Sequence, residues 1–304
     1  MGRMHSDEID IDADLVRRLL AASFPQWAGL PLTRFASAGT VNAMYRLGSE
    51  LAVRLPLIPG AAADIELEER WLPELAPHLP VAVPEVVGVG APTDDYPLPW
   101  SVNRWLTGCN PTVDGLAEPE DLAIDLAEFI AALRAIDPAG GPELSRGGPL
   151  ADRHDATSAA IDASRELIDT GALHAIWAET LAVDGSVDRS ARGSARPAWA
   201  HGDLSPGNVL IDKDRLNAVI DFGAVGVGDP TVDLIVAWNL LPAAARPILR
   251  AALDVDDATW ARGRGWALSI SVIQLPYYAH TNPALAANSR HVLEQIIVDH
   301  RRVG

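Results

Sequence analysis

The sequence predicts an α+β fold, with a small strand-rich N-terminal part followed by a larger helical part. Three observations predict it. Runs of strand character separated by small turn residues fill residues 32–55 and 81–106. From residue 121 onward, apolar residues recur at the helical period. A single stretch within that helical region, His201 to Gly223, reads instead as loop, strand, turn and strand. The chain of 304 residues suits two lobes sharing a cleft, and we place the division between 1–106 and 107–304.

The first element is a helix over Asp12–Ser23, with Leu15, Leu19 and Leu20 on one face, acids at its start, and Pro25 beyond its end. Strands follow at Leu32–Ser37, Ala43–Leu47 and Leu51–Leu55, joined by the turns Ala38–Asn42 and Gly48–Glu50. A helix over Ala61–Leu75 carries Glu66, Glu68 and Glu69. A strand region at Val81–Val89 and a strand at Trp100–Leu106 complete the N-terminal region, and Thr107-Gly108 leads out of it. The helix over Asp121–Ile136 presents Leu122, Leu126, Ile130 and Leu133 on one side and stops before Pro138. Helices over Asp152–Thr170 and Ala172–Val183 precede a Gly-, Ser- and Arg-rich loop at 185–198. After the hairpin come helices at Val232–Leu241, Pro247–Leu253, Asp257–Tyr278 and Pro283–His300. Trp238, Trp266, Tyr277 and Tyr278 read as core.

Composition narrows the partners. A net charge of −17 argues against nucleic acid or an anionic membrane, and leaves a cationic ligand compatible. Cys109 is the single cysteine, so the chain holds no internal disulfide and no multi-cysteine zinc site. The start is too polar for a signal-peptide core. The longest apolar run, Trp266 to Ala279, is interrupted by Gln274 and Pro276 and is too short to span a bilayer. These features lead us to expect a cytoplasmic protein, and no protein partner is inferred. Met1 to Ser6 matches a short N-myristoylation pattern of a kind common by chance.

The chemistry concentrates in His201-Gly202-Asp203-Leu204-Ser205-Pro206-Gly207-Asn208 and Asp221-Phe222-Gly223. Pro206 and Gly207 forbid a helix, so Asp203 and Asn208 sit on a loop. Val209–Ile211 forms a strand, Lys213–Arg215 a turn and Leu216–Ile220 the return strand, which brings Asp221 beside Asp203 and Asn208. Phosphoryl transfer needs such a cluster: an acid for the acceptor hydroxyl, and oxygen donors for the magnesium that neutralises a triphosphate.

The Asp, the Asn five residues later and the following Asp-Phe-Gly are the kinase catalytic order. Gly202 stands where protein kinases carry Arg, no Ala-Pro-Glu follows, and Asp229-Pro230 arrives almost at once. With Gly226-Val227-Gly228-Asp229-Pro230 and Asp233-Leu234, the chain resembles the aminoglycoside phosphotransferase family, small-molecule kinases on a protein-kinase-like bilobal fold. The resemblance implies Asp203 as catalytic residue, Asn208 and Asp221 as ligands of Mg2+, and ATP or GTP as co-substrate. It places Ser37, Gly39 and Thr40 over the phosphates, although only one glycine of the usual phosphate-covering pattern is kept. It puts backbone groups of Asn103, Arg104 and Trp105 against the base. The family's phosphate-contacting lysine has no counterpart, since Lys213 is the only lysine; Arg54 takes that place, paired with Glu68 or else Glu66 or Glu69. Asp233 reads as a helix cap or a brace of the catalytic loop, and His201 as a brace.

For the acceptor, the resemblance and the charge pattern together suggest a cationic, aminoglycoside-type antibiotic. Sixteen acids face seven arginines between residues 111 and 200, with Asp152, Asp155, Asp162 and Glu166 on one helical stretch. A macrolide, or a choline-like, amino-acid or sugar acceptor, is the alternative. A non-catalytic nucleotide-binding relative is disfavoured because Asp203, Asn208 and Asp221 are all present.

Overall fold

The computed structural model describes residues 8–35, 41–112, 115–186, 196–279 and 281–303, so Ser37, Gly39 and Thr40 and the Met1–Ser6 pattern lie outside the described residues. Helix α1 (Ala13–Ser23) starts where Asp12 accepts a hydrogen bond from the Leu15 N–H at 2.7 Å, a side-chain N-cap. It buries Leu15, Val16, Leu19 and Leu20 in one cluster with Tyr45, Val53, Leu55 and Val102 of a five-stranded antiparallel sheet. The strands β1 (Leu32–Phe35), β2 (Asn42–Leu47), β3 (Leu51–Pro56), β4 (Val86–Gly90) and β5 (Trp100–Arg104) lie in the order β1-β2-β3-β5-β4. Gly48, at φ +61°, turns the β2–β3 hairpin. The strand expected from Val81 begins only at Val86, because Pro84 cannot donate to a ladder. Ala82 instead bridges to Ala218 in the lower half of the molecule.

Helix α2 (Ala62–Leu75) joins the two halves, since Leu72 and Leu75 enter the second, larger core. That core is built from α3 (Pro119–Ala135), α4 (His154–Ala163), α5 (Thr170–Ser186), α6 (Val236–Asn239), α7 (Arg246–Ala252), α8 (Asp257–Tyr278) and α9 (Pro283–Val303). Two short hairpin-like pairings lie against these helices: β6 (Ala198–Ala200) with β9 (Gly226–Gly228), and β7 (Val209–Asp212) with β8 (Arg215–Val219). Helix α8 is the axle. It is buried along almost its whole length, from Thr259 to Val272, between α4, α5 and α9, so its sequence lacks a polar face.

Three expectations are corrected. The helix from Asp152 stops at Ala163, where Ser164 turns its hydroxyl back to the Ala160 carbonyl and the chain bends. The helix expected over Val232–Leu241 is a 3-10 turn at Pro230–Ile235 followed by the four-residue α6. Asp233 and Asn239 are committed there to the 201–208 loop, and that commitment overrides helical regularity. Trp238 and Trp266 are core, but Tyr277 is 58% exposed and Tyr278 only half-buried. Among the described residues no helix is long and apolar enough to cross a membrane.

Candidate active site

The loop leaving β6 is fixed before it reaches Asp203. The buried Asp233 carboxylate accepts from the N–H of His201 at 2.8 Å and of Gly202 at 2.9 Å. Burial pushes the Asp233 carboxyl above its ordinary range, against the pull of His201 and those two N–H groups. His201 is fully buried. Its Nε2 donates to the Ile220 carbonyl at 3.1 Å, and its Nδ1 accepts from the Asp203 N–H at 3.2 Å. One imidazole therefore ties the 201–208 loop to the end of β8, and its ring packs edge-on against Phe222. Gly202 adopts φ +81°, and a Cβ there would stand 2.6 Å from the Ala224 carbonyl, so no side chain fits where protein kinases carry arginine.

The Pro206-Gly207 turn delivers Asn208, whose Nδ2 donates to the Asp203 backbone carbonyl at 2.8 Å and to Asp203 Oδ2 at 3.0 Å. Asn110 pins this turn by donating to the carbonyls of Pro206, Gly207 and Val209. The β7–β8 hairpin closes through Lys213 and Asp214, both at positive φ, a two-residue turn that suits the twist of the strands. It returns the chain to Asp221, which is itself left-handed at φ +64°, a conformation costing a non-glycine residue about 1–3 kcal/mol.

Across the cleft, Arg54 of β3 is buried. Its Nη1 donates to Glu68 Oε1 at 2.7 Å, and its Nη2 donates to Asp221 Oδ1 at 3.0 Å. Glu68 Oε1 also accepts the Phe222 N–H at 2.9 Å, while Glu66 and Glu69 are exposed, so helix phase selects Glu68. Burial works against the Arg54 charge, but Glu68 and Asp221 outweigh it and hold the guanidinium above its ordinary range. Asp64, 3.8 Å from Arg54 Nη2, is pushed up to about 6 by burial, partly opposed by Arg54 and reinforced by Asp221.

These groups line one end of a cleft of about 400 Å³: Asp64, Asp203, Asn208 and Asp221, with Arg146 beside them. Its other lining includes the uncharged Ile235 and Asn239 of the 230–239 turn and Ile270, Gln274, Tyr278 and Val292 of α8 and α9. Asn103, Arg104 and Trp105 do not line it. The backbone N–H groups of Arg104 and Trp105 already donate to the carbonyls of Glu85 and Glu50. Arg146 and Asn110 were not singled out from the sequence. Neither belongs to a motif, and both reach the loop from about 60–100 positions away.

The fold and the cleft together define a kinase-type architecture. Solved structures similar to the chain include wild-type aminoglycoside 2'-phosphotransferase-IIIa in its GDP complex, at 20% identity and TM-score 0.74 over 95% of this chain and 100% of that one. The streptomycin–ATP ternary complex of an aminoglycoside phosphotransferase of type IIa matches at 18% and 0.60 over 94% and 97%. Macrolide 2'-phosphotransferase from Brachybacterium faecium matches at 23% and 0.61 over 93% and 97%. At these identities the likeness shows the fold. The model of the phosphotransferase enzyme family matches residues 33–266, and the chain belongs to that family. It is thus an enzyme of the phosphotransferase class. No curated protein matches the chain.

Proposed function

We propose that the protein moves the γ-phosphoryl group of ATP or GTP, with magnesium, to a hydroxyl of a small antibiotic-like molecule. The observation that carries this reading is the meeting of Asp203, Asn208 and Asp221 at one end of the cleft. Asp203 takes the proton of the acceptor hydroxyl as that oxygen bonds to the γ-phosphorus. The bond from the γ-phosphorus to the bridging oxygen breaks, and the nucleoside diphosphate leaves. A magnesium ion held through phosphate oxygens needs only one or two protein ligands, all oxygen. Asp221 and the Asn208 amide oxygen fit that donor set and would hold it. When bound, the ion neutralises charge on the phosphates. Arg54, kept in place by Glu68, offers a fixed guanidinium to phosphate oxygens. In this reading residues 1–106 cover the nucleotide and 107–304 carry the catalytic groups and the acceptor.

The aminoglycoside-type acceptor rests on the antibiotic complexes among the structural neighbours. The acids of the helical stretch do not support it. Asp152, Asp155, Asp162 and Glu166 are exposed and do not line the cleft, and Asp162 faces His174. The side chains that α8 and α9 contribute to the cleft are uncharged, and that observation favours a second reading, a neutral macrolide-type acceptor. Salt separates the two, because exposed charge is screened within about 8 Å at physiological ionic strength. For a polycationic acceptor kcat/KM falls clearly as salt rises; for a neutral one it stays flat. Activity on neither class, with activity on a small amino alcohol or sugar, would reject both.

A further inference from the structure

The glycines at 202, 226 and 228 have no part in the chemistry above, yet each makes room for one segment, residues 142–150. A Cβ on Gly226 would lie 2.7 Å from the Leu144 backbone, and one on Gly228 would lie 2.9 Å from the Gly147 Cα. At Gly202 it would approach the Leu144 side chain to 3.1 Å. Leu144 is buried between them. Backbone bonds fasten the segment along its length: Val227 N–H to the Pro142 carbonyl at 2.7 Å, Leu144 N–H to the Val227 carbonyl at 3.1 Å, and Asp229 N–H to the Gly147 carbonyl at 3.0 Å. Beyond these, the Leu150 N–H donates to Asp184 Oδ2 at 3.1 Å. The residue this rigid loop presents to the cleft is Arg146. Its Nη1 donates to Asp203 Oδ1 at 2.5 Å and to the Gly202 carbonyl at 3.0 Å, while Asn208 holds Oδ2.

We propose that Arg146 is a positioning residue, which fixes the Asp203 carboxylate toward the acceptor hydroxyl by gripping one oxygen from the side opposite Asn208. The bland alternative is a half-exposed ion pair of little consequence, as most surface pairs are. The anchoring decides against it. The backbone bonds, the Asp184 contact and buried Leu144 already hold the loop, so the loop holds the arginine rather than the reverse. The two-point grip on Asp203 Oδ1 and the Gly202 carbonyl also fixes direction, which a loose surface pair does not.

This inference rests on the phosphotransferase reading, and its test separates the two. Arg146→Met keeps the stem and removes the charge, Arg146→Lys keeps a charge, and Arg165→Ala is the control, since Arg165 is exposed and donates to the Asp162 carbonyl away from the cleft. Misplacing a reacting group by about an ångström costs about 10²-fold. Arg146→Met should therefore lose about 10–100-fold in kcat, with both KM values and the unfolding midpoint near wild type. Arg146→Lys should recover part of that, and Arg165→Ala should match wild type. A kcat within about threefold of wild type overturns the inference, and so does a loss matched by weaker nucleotide or acceptor binding, or by unfolding. A crystal structure of Arg146→Met needs no acceptor. A displaced Asp203 carboxylate supports the inference and an unmoved one overturns it, whereas wild-type protein inactive on every acceptor overturns the phosphotransferase reading instead.

Discussion

At the Asp203 end of the cleft, polar side chains from well-separated segments interlock: Arg54 with Glu68 and Asp221, Asp203 with Asn208 and Arg146, His201 with Ile220 and Asp233. At the Gln274 end, α8 and α9 present uncharged groups, among them Ile270, Gln274, Tyr278 and Val292. The first end is tightly determined, since Arg54, Glu68, Asp203 and His201 are each held by two or more partners and Asp221 is kept in a left-handed backbone. The second is a surface of shape and weak polarity. Chemistry that must place a proton and a phosphoryl group within fractions of an ångström is built from the first kind of structure. Under the proposed function, choice of acceptor would fall to the second.

The largest effect should come from Asp203→Ala. It removes the group we propose takes the hydroxyl proton, worth about 10²–10⁴-fold, and should leave nucleotide binding intact. Near-wild-type turnover in a steady-state assay would take Asp203 out of the mechanism. Next, Asp221→Ala should weaken magnesium-nucleotide binding more than Asn208→Ala, because a carboxylate neutralises divalent charge and an amide only lends oxygen density. Calorimetric titration reads both, and an unchanged affinity in Asp221→Ala would remove it as a ligand.

Arg54→Ala should raise the nucleotide KM and lower kcat. It should also destabilise the fold by about 3 kcal/mol, since Glu68 is left buried without its partner. Arg46, two pairing positions away on β2 and stacked on Trp105, should tolerate alanine with little change in either constant. Equal effects of the two changes would refute a special role for Arg54.

The smallest effect concerns Asp64. Its folded pKa of about 6 lies above the unfolded value of about 3.9, so the native state holds its proton more tightly. The stability from that protonated form is complete below pH about 4 and is lost as pH rises through about 6. Asp64→Asn should therefore gain on wild type between pH 4 and 7, by no more than about 1 kcal/mol for a half-buried carboxylate partly screened by solvent. Denaturant midpoints at the two pH values measure this, and a gain that shrinks with rising pH would show the sign to be wrong.

Much of the catalytic end was readable in the chain because its logic is local. The Asp203–Asn208 spacing, the helix-breaking Pro206-Gly207 and the short return through Lys213-Asp214 specify a turn and a hairpin, and covalent geometry then limits where Asp221 can go. The start of α8 was equally legible, because Asp256 caps it by accepting the Thr259 N–H. Other features had no local signal. Glu66, Glu68 and Glu69 differ only in which way α2 is rotated, and packing of Leu72 and Leu75 into the lower core sets that rotation. The acids of residues 152–166 looked like a ligand field in the chain and are a solvated face in the fold.

The sequence by itself determined the order of the elements, the kinase-like catalytic spacing and the need for an arginine where a lysine is absent, because propensity, turn chemistry and residue inventory act over a few positions. Tertiary structure alone decided that Glu68 is the partner of Arg54, that residues 230–239 give up a regular helix to serve the catalytic loop, and that Arg146 reaches Asp203 from 57 positions away. Those outcomes depend on contacts between distant segments, which no local pattern encodes; for Arg146 the close approach is made where the glycines at 226 and 228 leave room for the backbone of residues 143–147.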